Sequence, residues 1–131
     1  RANAADCLTD ILLCVEDRRA AADRFGRFAG RDPHDDGPFT VVPLDRGRLV
    51  FAGADIGPAI PNFILPNMPC MAGQALRCTD LERLRAVLAR ANIRPLADRG
   101  SFVCVAPGDA LGSLLLFHDA AVASPWAAVI A

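Results

Sequence analysis

Few side chains in this sequence can do acid–base, nucleophilic or metal chemistry. Its histidines are His34 and His118, it has five cysteines, and it has neither lysine nor tyrosine. Without lysine there is no Walker-type phosphate loop and no Schiff base; without tyrosine there is no phenolic acid or nucleophile. Cys7, Cys14, Cys70, Cys78 and Cys104 are odd in number and contain no C-x-x-C pair. That argues against a disulfide framework and a zinc knuckle alike. Cys14 and Cys78 lie on short apolar runs, where a thiol serves as a small core residue unless a positive charge stands beside it. His118 follows Leu114-Leu115-Leu116-Phe117 and is either a base or lone ligand at a buried strand end, or the first solvated residue after the core. Arg77, after Ala75 and Leu76, needs a partner, because an unpaired guanidinium in an apolar setting is costly. Either an anionic ligand or a carboxylate such as Asp10 fills that need. His34 sits in Asp32-Pro33-His34-Asp35-Asp36, which reads as a polar loop despite its likeness to a metal cluster.

The elements that must position these residues come twice. Asp10 to Val15 is a short apolar strand. Asp17 is the N-cap of a helix from Arg18 to Gly30 whose apolar positions are Ala21, Phe25, Phe28 and Ala29. Arg24, Arg27 and Arg31 fall on another face and, interleaved with acids, read as a solvated stripe. Phe39 to Leu44 is a strand, Asp45-Arg46-Gly47 a turn, and Arg48 to Ala52 the return strand. Then Ala75 to Cys78 is a strand, Asp80 caps a helix through Leu81, Leu84, Leu88 and Ala91, and Phe102 to Val105 and Leu114 to Phe117 are strands. Asp80 lies 63 residues after Asp17, and Phe102 lies 63 after Phe39, so the chain is read as a duplication. Module one covers about 6–57, a proline-rich linker about 58–72, module two about 73–119 and an apolar tail 120–131. A short strand is expected at Asn62 to Leu65.

At 131 residues, 53% hydrophobic and 22% charged, the chain has the balance of one globular domain. A net charge of −1 provides no field for nucleic acid or acidic lipid. No apolar run is long enough to span a membrane. Free cysteines and the lack of a signal segment point to the cytoplasm.

Two such units resemble the vicinal oxygen chelate superfamily, which includes glyoxalase I, bleomycin-resistance proteins and extradiol dioxygenases. The resemblance covers roughly Leu8 to Asp119. It rests on an aspartate at a helix start seven residues after each first-strand ligand position (Asp17, Asp80), and on the turn Ala106 to Ser113 before the last strand. It implies an α+β fold of two tandem βαβββ modules, with a curved, cleft-bearing mixed β-sheet and helices on the outer face. The family's metal-ligand positions map to Asp10, Phe51, Gly73 and Leu116. Only Asp10 can bind a metal, so the usual cage is absent and neither metal nor cofactor is expected.

Strand alternation extends that face to Leu12, Cys14, Arg77, Leu114 and His118. The expected site is therefore a cleft of Arg77, Asp10, Leu12, Cys14, Phe51, Leu114, Leu116 and His118. It would bind a small, anionic organic molecule, with Arg77 at the charge, because an arginine four residues after the ligand holds an anionic cofactor in glyoxalase relatives. Gln74 is out of register and discounted. Two other readings stay open. One is a metal-dependent lyase or dioxygenase with ligands drawn from Asp10, His118 and His34. The other is an interaction module of a longer protein. Family habit and the apolar tail also imply a homodimer.

Overall fold

The computed structural model describes residues 2–131. Among them are eight strands and four helices: β1 (Ala5–Cys14), α1 (Arg18–Ala29), β2 (His34–Asp36), β3 (Phe39–Leu44), β4 (Gly47–Ala52), α2 (Ile56–Ala59), β5 (Cys70–Cys78), α3 (Leu81–Arg90), β6 (Ala97–Arg99), β7 (Phe102–Val105), β8 (Leu114–His118) and α4 (Pro125–Ile130). The class is α+β, built as two tandem βαβββ modules with mixed strand pairing. The chain resolves into two compact units, one of Asp10–Ala72 and one of residues 2–9 with Gly73–Ala131. Strands β1 and β5 run through both.

In the Asp10–Ala72 unit the strand order is β2-β3-β4-β1. β1 and β4 are parallel, while β3 pairs antiparallel with both β4 and β2. Helix α1 begins where expected: the Asp17 carboxylate accepts from Ala20 N–H at 3.0 Å. It ends at Gly30, whose φ of 68° is left-handed and free of Cβ strain. Ala22 packs with Val42 and Phe51, flanked by Leu13, Val15 and Leu49. The expected apolar stripe of α1 is only partly covered. Ala22 and Gly26 are the buried positions, whereas Phe25 is 44% and Phe28 92% exposed. Close packing selects the small residues, Ala22 against the sheet and Gly26 beneath Arg31 and Pro33, and the two phenylalanines stand outside it.

In the second unit the order is β5-β8-β7-β6, with β5 parallel to β8 and the other pairs antiparallel. The Asp80 carboxylate caps α3, accepting from Arg83 N–H at 3.0 Å. Leu81, Leu84 and Leu88 pack on Cys78, Val103, Val105 and Phe117.

Three expectations need correction here. No strand forms over residues 62–65, where Asn62 adopts a φ of 56° that strand geometry excludes. His34 is strand rather than loop, because its backbone pairs with Val41 along the edge of β3. The apolar tail is not a free end: α4 buries Trp126 and Val129. The argument for a dimer built on that tail therefore falls.

Candidate functional site

Asp10 is 2% exposed and lies opposite Arg48 across the β1–β4 pair. Arg48 Nε donates to Asp10 Oδ2 at 2.8 Å, and its Nη2 donates to the same oxygen. The same register sets Leu12 opposite Val50 and Cys14 opposite Ala52. These side chains share one face. Phe51 does not belong to it. It lies opposite Leu13, on the alternate face, where its ring meets Phe25 at 5.5 Å between centroids. Its assignment with Asp10 is corrected by one residue of register.

In the second unit Gly73, Ala75 and Arg77 lie opposite Leu114, Leu116 and His118. Both leucines are fully buried. A Cβ on Gly73 would stand 2.9 Å from Trp126 Cζ2 and 3.0 Å from Leu114 Cβ. The indole thus fills the space where a side chain at position 73 would begin. Arg77 is paired with Asp6, not with Asp10 as expected. Its Nη2 donates to Asp6 Oδ2 at 2.8 Å and its Nε to Oδ1 at 3.1 Å. Asp10 already has Arg48, and Asp6 lies on the strand beside β5 in the second unit. The Arg77 guanidinium holds the Asp6 carboxyl below its usual range.

His118 is 3% exposed, so the reading of a solvated strand end is corrected. The carbonyl of Asp119 accepts from Nδ1–H at 2.8 Å, which leaves Nε2 facing Thr9 Oγ1 at 2.8 Å. Thr9 Oγ1 also reaches the Ala75 carbonyl at 3.2 Å. Both ring nitrogens thus have a hydrogen-bond partner.

The thiols are similarly quiet. Burial pushes Cys14 and Cys104 up to about 12, with Cys70 adding to the effect on Cys14. At neutral pH neither is a thiolate. These raised values make stability fall with alkali: the contribution is whole below the unfolded thiol value near 9.0 and is lost as pH rises toward about 12. Each group accounts for about 1.4 kcal/mol per pH unit in that window. With no lysine or tyrosine in the chain, thiols are the side chains titrating there. Urea melts should show stability falling by roughly 2–3 kcal/mol between pH 9 and pH 10. The slope should flatten in Cys14→Ala/Cys104→Ala; an unchanged slope would show that other groups carry it.

No family model matches the sequence, and no curated protein matches it. Solved structures do. Methylmalonyl-CoA epimerase from Mycobacterium tuberculosis is 15% identical, with a TM-score of 0.66 over 95% of this chain and 93% of that one. A methylmalonyl-CoA epimerase in complex with methylmalonyl-CoA and NH4+ is 17% identical, with a TM-score of 0.62 over 92% of this chain and 99% of that one. The chain has the vicinal oxygen chelate fold. A variant of homoprotocatechuate 2,3-dioxygenase from B. fuscum is 14% identical and agrees at a TM-score of 0.59 over 90% of this chain, which spans 34% of that larger one.

Metal enzymes of the vicinal oxygen chelate fold take ligands from the first and last strands of each module, and these residues do not fit such a cage. In the Asp10–Ala72 unit, the β4 residues that share a face with Asp10 are Arg48, Val50 and Ala52, and Arg48 has taken the carboxylate. In the second unit, the positions are glycine, alanine and leucine with an indole packed against the glycine. Among the described residues no three His, Cys, Asp or Glu side chains group closely enough to hold a metal ion. Among the described residues no helix is long and apolar enough to cross a membrane.

Proposed function

We propose that this chain is a binding domain of the vicinal oxygen chelate fold that holds a small organic anion without the family metal. One observation carries the reading: the buried Asp10 carboxylate is neutralised by Arg48, so a guanidinium stands where a cation would be required. The anion is assigned to Arg77. Its pair with Asp6 is half-exposed on both sides, and such pairs hold a side chain in place at little net gain. An incoming carboxylate or phosphate can therefore exchange with Asp6. A second polar group supports a ligand in the same unit. Trp126 Nε1 is buried without a hydrogen-bond partner, and an acceptor atom of a ligand would relieve that loss. Homodimer formation belongs to this reading through the resemblance, and residence in the cytoplasm through the free cysteines.

Methylmalonyl-CoA, bound by one of the similar structures, is a fitting first probe because it is a small acyl carboxylate on an anionic carrier. Trp126 is the sole tryptophan, so its fluorescence reports on titration directly. Binding should persist in EDTA. Arg77→Ala should weaken it about tenfold with an unchanged urea midpoint, as expected for one charge-assisted contact. Asp6→Asn should strengthen it by releasing the guanidinium. A requirement for added divalent metal, or about one equivalent of zinc, iron, nickel or manganese surviving dialysis, would overturn the reading.

A further inference from the structure

We infer that the helix side of the first module carries a second binding pocket, for an amphipathic organic anion. A cavity of about 340 Å³ opens between α1 and the β1–β4 pair, lined by Leu13, Val15, Phe25, Phe51 and Cys70, with Arg24 at its rim. A second hollow of about 230 Å³ adjoins it through Arg24 and Phe25 and extends to Phe28. A specific ligand pocket has this size and make-up, mostly apolar walls with one placed polar group.

The helix that builds the pocket leaves its aromatic stripe uncovered. Ala22 packs on Val42 and Phe51 of the sheet and Gly26 lies under Arg31 and Pro33, so Phe25 and Phe28 stand clear at 44% and 92% exposure. Contiguous exposed aromatic surface is uncommon without an occupant. The charge at the rim defines that occupant. On the same helix Arg19 pairs with Asp23 and Asp35, and beyond it Arg31 pairs with Asp45. Arg24 makes no ion pair or hydrogen bond among the described residues. No acidic side chain lines either hollow. A free guanidinium above an apolar slot complements a carboxylate or sulfonate carried on an aliphatic or aromatic body. Burial of the body on Phe25 and Phe51 supplies affinity, and Arg24 selects the charged head.

This pocket lies on the Leu13–Phe51 face, opposite the one that carries Asp10 and Leu12, and Arg77 is not among the residues that line it. Cys70 provides a reporter within it. The probe is decanoate, with decanol as its uncharged counterpart, followed by calorimetry and by peptide-resolved iodoacetamide labelling. Decanoate should bind and slow labelling of Cys70 while leaving Cys7 unaffected. Decanol, and decanoate on Arg24→Gln, should bind about tenfold more weakly. Phe25→Ser should lose the protection in a chain whose urea midpoint is retained. Equal affinity for acid and alcohol, or unprotected Cys70 in the presence of saturating decanoate, would overturn the proposal. So would a concentration-dependent dimer that Phe28→Ser abolishes and decanoate does not disturb, because the stripe would then be covered by a second copy.

Discussion

Arg48→Met is expected to cost about 3–5 kcal/mol of stability, because it leaves the Asp10 carboxylate buried with no counter-charge. The pair itself is a different quantity. Taking both charges out of water is expensive, and an apolar pair of similar volume is often as stable as the ion pair it replaces. Asp10→Leu/Arg48→Met should therefore recover most of the loss, and the double-mutant cycle should show a large coupling. Urea midpoints with unchanged m-values give the energies directly. A loss below about 0.5 kcal/mol for Arg48→Met would mean that water already solvates Asp10. That result would also undo the argument that the guanidinium replaces a metal. A near-additive cycle would do the same.

Both modules were readable from the sequence because their signals are local. Asp17 and Asp80 are N-caps because a carboxylate preceding an amphipathic run meets free N–H groups, and both carboxylates do so. The strands starting at Phe39 and Phe102 were likewise plain. The start of β1 was not. Ala5 to Thr9 alternates Asp6 and Leu8 outward, and its strand form depends on the neighbouring β5 rather than on an apolar run. The same holds for Cys70 to Gln74, which extend β5 back to the prolines. Helix α1 shows the opposite error. Hydrophobicity favours Phe25 and Phe28 as core, but packing distance favours Ala22 and Gly26. Residue size decides that contest, and periodicity does not record it.

The candidate site was legible as residues and not as partners. Arg77 was identified as needing a partner, with Asp10 as a candidate, and both are paired, though not with each other. The partners are Arg48, 38 residues away, and Asp6, 71 residues away. Choosing between such pairs requires the strand register, which no single stretch of sequence encodes. His118 was ambiguous for a related reason. A polar residue closing an apolar strand is solvated or satisfied according to what lies alongside, and here Thr9 and the Asp119 carbonyl satisfy it. Trp126 was assigned to a sticky tail because its contact with Gly73 spans more than fifty residues.

That last contact carries the second large effect. Gly73→Ala places a methyl group 2.9 Å from Trp126 Cζ2 and 3.0 Å from Leu114 Cβ, in a site where both neighbours are buried. Neither can yield easily: Leu114 is held in a parallel pair with β5, and Trp126 is anchored in α4 beside buried Pro125 and Val129. Overpacking of this kind costs about 3 kcal/mol. For a chain of this length that lowers the melting temperature by roughly 10 °C. The opposite change, Trp126→Ala, empties the same space and should cost about 3–5 kcal/mol. The two are not independent. Trp126→Leu withdraws the ring, so Gly73→Ala in that background should cost less than about 1 kcal/mol. Indole emission adds a second readout, since an expelled Trp126 would shift to the red in Gly73→Ala. If Gly73→Ala melts like the wild type with unshifted emission, the indole does not fill the position. Gly73→His would then become a fair attempt at rebuilding a metal ligand there; with the indole in place, histidine has no room to reach the sheet face.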